Sequence, residues 1–273
     1  MQNIFHYDFI IRKFRDFFQN RKKFVEVPAQ SRLSILAACE DPETISMFNF
    51  NNTDYPLPQT GQMWLEYELL KNPDVQGVFC ITTSYRNEPS PIPGRHDKIF
   101  PMFEFESHGE VEDLKKLSNE LLEHFGFDQP VECLYNDMCK KYGVDTLEAK
   151  HETRMLEEYG NVISLEQFPQ RSHPFWNMKH AGDNIYNKID VLLYGMETFG
   201  MAERSTNTEE MRHYFLTISD GMYADLLFQK FGKKRVLDEL DEYLSLPMFP
   251  RFGGGIGVTR MERALKLAEL MAD

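Results

Sequence analysis

Arg86 and Glu88 stand two residues apart in the run Tyr85-Arg86-Asn87-Glu88, so on an extended chain their side chains leave the same face. The basic pair Arg95-His96 follows, and Phe100 comes five positions after Arg95. A fixed arginine, a loop arginine and an aromatic ring in one pocket can hold a nucleotide, guanidinium on phosphate and ring on base. Farther on, Asp190 and Glu197 are seven apart. One straight strand would send them to opposite sides, whereas a bulge or turn at Tyr194-Gly195 would bring them together. Two carboxylates converging in a phosphate pocket would hold a hard divalent ion such as Mg²⁺. Each pattern also has a plain counterpart, a charged hairpin and a pair of surface carboxylates, and taken singly neither pattern decides between them.

The elements that must position these residues follow from periodicity. Two extended runs, 78–88 and 100–106, flank an insert with three prolines and a glycine, which is a hairpin with a turn-rich connection. The alternation Phe103-Glu104-Phe105-Glu106 predicts a strand with one buried and one polar face. Phe5, Phe9, Ile10, Phe14, Phe17 and Phe18 follow helical spacing at the start of the chain, and 23–28 reads as a strand ended by Pro28. Glu40 falls in a turn before Pro42, where a solvated carboxylate is the plain alternative. After a turn at Thr60-Gly61, Gln62 lies in the first turn of a helix, beside free backbone N–H groups; an exposed polar glutamine is the alternative.

An amphipathic helix over 111–125 stops at Gly126. Residues 127 to about 175 read as an inserted or peripheral helical segment, with helices at 132–142 and 147–159 and a short strand at 162–165. A turn at 180–184 precedes two strand-like runs, 185–196 and 197–203, which carry Asp190 and Glu197 and lead into Arg204. Helices are expected over 206–213 and 224–244. Gly253, Gly254, Gly255 and Gly257 then precede an amphipathic helix with Arg260 in its first turn, allowing close approach of backbone or ligand. No GxGxxG fingerprint or Walker loop is present.

Composition bounds what such a site serves. The 273 residues, 42% hydrophobic and 13% aromatic, suffice for a sizeable core. The formal charge of −13 gives no general attraction to nucleic acid or an anionic membrane, so any polyanion contact must be local. Cys39, Cys80, Cys133 and Cys139 show no CxxC spacing, which predicts reduced thiols rather than zinc ligands or disulfides. No apolar run approaches the ~20 residues that span a bilayer, and the expected location is cytoplasmic.

Taken in order, the strand ending at Pro28, then Tyr85-Arg86-Asn87-Glu88 with Arg95-His96 and Phe100, then the glycine run with Arg260, resemble the three motifs of class II aminoacyl-tRNA synthetases. The aspartyl, asparaginyl and lysyl subgroup is the nearest. The resemblance implies an α+β fold, an antiparallel sheet flanked by helices. It also implies a single catalytic domain over 1–273 with a helical insertion at about 127–175, and a homodimer through the first motif. It implies ATP as substrate and Mg²⁺ as cofactor. By position, Arg86 would hold the α-phosphate and substrate carboxylate, Glu88 would lie near the adenine and Phe100 would stack on it. Arg95 and His96 would meet the distal phosphates, and Arg260 would sandwich the base or bind the γ-phosphate. Asp190 and Glu197 match metal-facing acids, Glu40 an acid that takes the substrate ammonium, and Gln62 a contact to the amino acid. Arg204 matches the arginine that grips the side chain of aspartate or asparagine.

The sequence departs from the subgroup at several positions. Leu65 replaces a lysine of the aspartate enzymes, Gly200 an often-serine metal-facing position, Ile99 a glutamate and Thr259 another glutamate. Residues 1–28 leave no room for the subgroup's anticodon-binding barrel. The expectation is a stand-alone, AMP-forming ligase that activates an asparagine- or aspartate-like amino acid and passes it to ammonia, a small molecule, a protein or tRNA. An ammonia-dependent asparagine-synthetase-like ligase, a tRNA ligase and a catalytically silent binding paralogue are the alternatives.

Overall fold

Phenylalanines build the back of the molecule. In the computed structural model, which describes residues 3–29, 33–35, 42–95 and 97–271, helix α1 (Ile4–Arg15) runs into a π-helical turn, Asp16–Arg21. Phe14 of α1 stacks on Phe103 with ring centroids 4.4 Å apart, and Phe18 lies 4.9 Å from both Phe103 and Phe105. These rings, with α3 (Val111–Phe125) and α9 (Val258–Leu267), cover one face of the sheet in a continuous apolar cluster. The α3 helix is stopped by left-handed Gly126, as the sequence predicts, and its start is closed by a capping box between Glu110 and Asp113.

Nine of the described strands form one sheet. They are β1 (Val25–Glu26), β4 (Gly77–Tyr85), β5 (Ile99–His108), β11 (Arg251–Gly257), β10 (Met196–Arg204), β9 (Ile185–Leu193), β7 (Val162–Pro169) and β6 (Val131–Leu134) in spatial order, with β8 (His180–Gly182) beside β9. The expected α+β fold, a sheet flanked by helices, is present; the sheet is mixed rather than wholly antiparallel, because β1–β4 and β6–β7 are parallel pairs. Both are joined by long crossovers, which parallel neighbours require. The first crossover carries the separate hairpin β2 (Met47–Phe50) and β3 (Thr53–Pro56) and helix α2 (Gln62–Lys71). The second carries α4 (Tyr135–Tyr142) and α5 (Ala149–Tyr159). The stretch expected to be a helical insertion therefore also supplies two strands to the main sheet. The expected turn at 180–184 holds β8, whose tight link to β9 is made by left-handed Asp183 and Asn184.

The other side of the sheet is covered by α2, α6 (Thr208–Thr217), α7 (Met222–Phe231) and α8 (Lys233–Leu244), packed around Trp64, Tyr67, Trp176, Tyr223 and Tyr243. The single helix expected over 224–244 is broken at Gly232, whose φ of 87° ends α7 and admits the start of α8. Cys80, Cys133 and Cys139 are buried free thiols. Among the described residues no helix is long and apolar enough to cross a membrane.

Strand β11 sits in the middle of the sheet, where three successive glycines are poor strand formers. Their use is close approach. A Cβ on Gly253 would collide with the Glu106 carboxylate, the Phe105 carbonyl and the Gln62 amide, and one on Gly254 with Met201 and the Gly200 carbonyl. Gly253→Ala is therefore expected to lower the unfolding free energy by about 1–3 kcal/mol through overpacking. Urea titration checks this: the midpoint falls with little change in slope, whereas an unchanged midpoint shows that the space is not limiting.

Candidate active site

The alternation along β5 puts Phe103 and Phe105 into the rear core and turns Met102, Glu104 and Glu106 to the opposite face. That face is not solvated. Glu104 and Glu106 are both fully buried, because α2 lies across them. The predicted polar face is thus the inner wall of a site. A cleft of about 400 Å³ opens there, lined among others by Gln62, Glu66, Arg86, Glu88, Arg95, Phe100, Lys188, Glu197, Arg204 and Arg260.

At one end of the cleft the β4–β5 ladder continues one rung past its strands, as the Arg86 N–H donates to the Lys98 carbonyl at 2.8 Å. Ser84 pairs with Phe100, so Arg86 and Phe100 are diagonal neighbours on one face. The Arg86 guanidinium lies 5.6 Å from the Phe100 ring centroid, a cation–π contact that holds the two together. Glu88 is half-buried beside them. Strand β11 passes directly into α9, so Arg260 projects from the first turn of that helix. Its guanidinium donates to the Glu197 carbonyl at 2.7 Å and to the Arg95 carbonyl at 3.4 Å. Arg95 donates to the Gly195 carbonyl at 3.3 Å and pairs with Glu152 of α5.

The two candidate metal-facing acids meet, and of the two readings it is the turn at Tyr194-Gly195 that brings them to one side. Left-handed Tyr194 and Gly195 close the β9–β10 hairpin. Between Glu197 and Phe199 the register slips, two residues of β10 facing one step of β9. The turn pairs Glu197 with Leu192, two residues from Asp190 and so on the same face, and the slip sets Gly200 opposite Asp190. A Cβ built on Gly200 would lie 3.1 Å from a Glu197 oxygen and 3.7 Å from an Asp190 oxygen, so both carboxylates reach over this glycine. Glu197 lines the cleft. Asp190 lies deeper, 7% exposed, with Lys188 Nζ 3.3 Å from its carboxylate.

At the other end, a buried acid fixes α2. Glu104 accepts the Gly61 N–H at 2.8 Å and the Thr82 hydroxyl at 2.6 Å, a carboxylate at the positive end of the helix. This orients Gln62, whose amide N–H donates to the Phe105 carbonyl at 3.1 Å and to Glu106. The Gln62 Oε1 is buried and has no hydrogen-bond partner among the described residues, leaving an acceptor for a ligand donor. Arg204, 3% exposed, lies 3.4 Å from Glu66 and 3.3 Å from Glu106. Arg251, fully buried, pairs with Glu66 at 2.8 Å and donates to the Tyr243 hydroxyl at 2.8 Å. Asn177 adds a 2.7 Å hydrogen bond to Glu66. Burial pushes the Glu106 carboxyl up to about 8 against the pull of Arg204, with Glu66 adding repulsion. Burial disfavours the Arg204 cation, but the combined attraction of Glu106 and Glu66 prevails and raises it.

Residues 1–270 match the family of class II tRNA synthetases for D, K and N. The chain belongs to that family. The synthetase fold is also seen in solved structures. Asparaginyl-tRNA synthetase from Pyrococcus horikoshii complexed with asparaginyl-adenylate superposes with a TM-score of 0.77 at 18% identity, covering 95% of this chain and 64% of that one. Entamoeba histolytica asparaginyl-tRNA synthetase with asparaginyl-adenylate gives 0.71 at 20% identity, covering 95% and 62%. A putative aspartyl-tRNA synthetase from Leishmania major gives 0.72 at 16% identity, covering 95% and 61%. The chain thus spans less than two thirds of each of those structures. No curated protein matches it.

Within this class II synthetase fold, Gln62, Arg86, Glu88, Arg95, Phe100, Glu197, Arg204 and Arg260 share one cleft, and Asp190 backs it. Glu40 and His96 lie outside the described residues. Sequence reasoning missed Glu66, Glu104, Glu106, Arg251 and Glu152. The alternation at 103–106 marked the two β5 acids, but a polar strand face does not say what covers it. Glu66 and Glu152 sit on helices, where an acid is ordinarily solvated, and Arg251 precedes the glycine run without a pattern of its own.

The Glu106 shift carries a pH consequence. Its folded value lies above the ordinary 4.5, so its stabilising contribution is full below about 4.5 and is lost as the pH rises through about 8. The thermal midpoint is expected to fall between about pH 5 and about pH 9, and Glu106→Gln, neutral throughout, to flatten that fall. Parallel wild-type and variant profiles in scanning calorimetry would remove Glu106 as the cause.

Proposed function

We propose that this chain activates an amino acid with ATP, forming an aminoacyl-adenylate and releasing pyrophosphate. The observation that carries the reading is one cleft with two differently equipped ends. An arginine-and-ring clamp and a second arginine on a helix start stand at one end, and a desolvated amide-and-guanidinium pocket at the other. The family's scope, D, K and N, and the asparaginyl-adenylate in two structures of the same fold support an asparagine- or aspartate-like substrate.

On this reading the substrate carboxylate attacks the α-phosphorus. A carboxylate–phosphorus bond forms, the bond to the β-phosphate bridging oxygen breaks, and pyrophosphate departs with that oxygen. No general base is needed, because the nucleophile is already an anion. Arg86 sits where it can neutralise charge growing on the α-phosphate, its guanidinium steadied by the Phe100 ring, whose free area receives the adenine. Arg260 and Arg95 face the distal phosphates. Gln62 Oε1 accepts from the substrate ammonium. Arg204, held between Glu66 and Glu106 on the pocket floor, offers N–H donors to the oxygen of an amide or carboxylate side chain. Two hard carboxylate donors, Asp190 and Glu197, converging over Gly200 with room in the cleft for phosphate oxygens and water, fit Mg²⁺. When bound, that ion would supply charge neutralisation on the phosphates. The net charge of −13 supports transfer to ammonia, an amine or another small nucleophile over a nucleic acid.

ATP–pyrophosphate exchange with a full amino-acid panel tests the proposal. One amino acid is expected to stand out, and Arg86→Ala to lower its exchange rate by about 100-fold or more, as loss of a transition-state donor does. Nucleotide binding without exchange for any amino acid would overturn activation in favour of a binding paralogue.

A further inference from the structure

The α5 helix belongs to the stretch between the second and third motifs, and it reaches the nucleotide end of the cleft through one side chain. The Glu152 carboxylate pairs with the Arg95 guanidinium and also accepts the Glu197 N–H at 3.2 Å. Arg95 in turn donates to the Gly195 carbonyl at 3.3 Å, and its own carbonyl accepts from Arg260 at 3.4 Å. One acid on α5 thus ties together the β4–β5 loop and the β9–β10 hairpin, and Arg260 joins the same ring of contacts. The helix that carries it is a fixed base. Met155 is fully buried, and Leu156 packs so closely on the β9–β10 turn that a Cβ on Gly195 would lie 3.2 Å from it.

Position separates a holder from a ligand contact. Arg95, Glu197 and Arg260 line the cleft, whereas Glu152 does not. It grips Arg95 from behind, with a side chain 20% exposed. A guanidinium has five N–H donors in a rigid fork, so Arg95 keeps donors for an incoming anion while held on two sides. A loop arginine fixed in advance spares the ordering cost that a free one would incur on binding phosphate. We propose that Glu152 is the positioning residue that presents Arg95 to the distal phosphates of ATP, which makes α5 part of the nucleotide site. The inference rests on the reading of the cleft as an ATP site, but not on turnover.

Calorimetry of the full chain with ATP and with AMP, each with Mg²⁺, tests it. Glu152→Gln is expected to weaken ATP by about tenfold, the lower range for loss of a supporting contact, and to leave AMP unchanged. Arg95→Ala should show the same ATP-only loss, and the double variant no more than Arg95→Ala alone. If Glu152→Gln does not fold, Glu152→Asp keeps the charge with a shorter reach and should show the ATP-only loss at smaller size. Equal weakening of ATP and AMP, additive losses in the double variant, or tighter ATP binding in Glu152→Gln would overturn the proposal. Wild-type chain that binds ATP but catalyses no pyrophosphate exchange would count against adenylation alone and leave this test intact.

Discussion

Two glutamates and two arginines, all nearly or fully withdrawn from water, hold one end of the cleft together. Glu66 comes from α2, Glu106 from β5, Arg204 from β10 and Arg251 from β11, so the cluster joins four elements that are far apart in sequence. Charges so deeply buried are tolerated only when matched, because a lone carboxylate or guanidinium would bear several kcal/mol of uncompensated desolvation. The matching fixes the distance of α2 from the sheet. Gly253 is the corresponding steric constraint, since any side chain there would enter the space of Glu106 and Gln62. Fold and pocket therefore rest on one set of contacts, and a change that loosens one displaces the other.

The other end of the cleft is built differently. Its residues come from a hairpin rung, a helix start and a β-bulge, and they are held by backbone carbonyls, a ring face and the Glu152 carboxylate rather than by a fully buried charge cluster. Arg86, Arg95 and Arg260 line a cleft in a chain whose net charge is −13. Local cations in an acidic molecule attract phosphate only at short range, beyond which screening and the surrounding acids prevail.

Much of this was legible in the residues. The hairpin, the glycine run and the amphipathic helices carry local signals, and the β9–β10 turn at Tyr194-Gly195 is the feature that brings Asp190 and Glu197 to one side. What stayed hidden is non-local. The parallel pairings of β1 and β6 depend on crossovers that periodicity does not encode. The burial of Glu104 and Glu106 depends on α2 lying over them, and Glu152 gains its place only when α5 packs on the β9–β10 turn. The break at Gly232 was visible as a glycine but not as one at positive φ, because an isolated glycine is tolerated inside a helix.

The measurement that bears most directly on the activation mechanism is the fate of the carboxylate oxygens. The selected amino acid, labelled with ¹⁸O in its carboxylate, is incubated with the chain, ATP and Mg²⁺, and the AMP is analysed by mass spectrometry. Attack by the carboxylate on the α-phosphorus predicts AMP carrying one labelled oxygen. Unlabelled AMP, or ADP in its place, would contradict the mechanism, because the phosphorus would then have been attacked by another nucleophile or at another position.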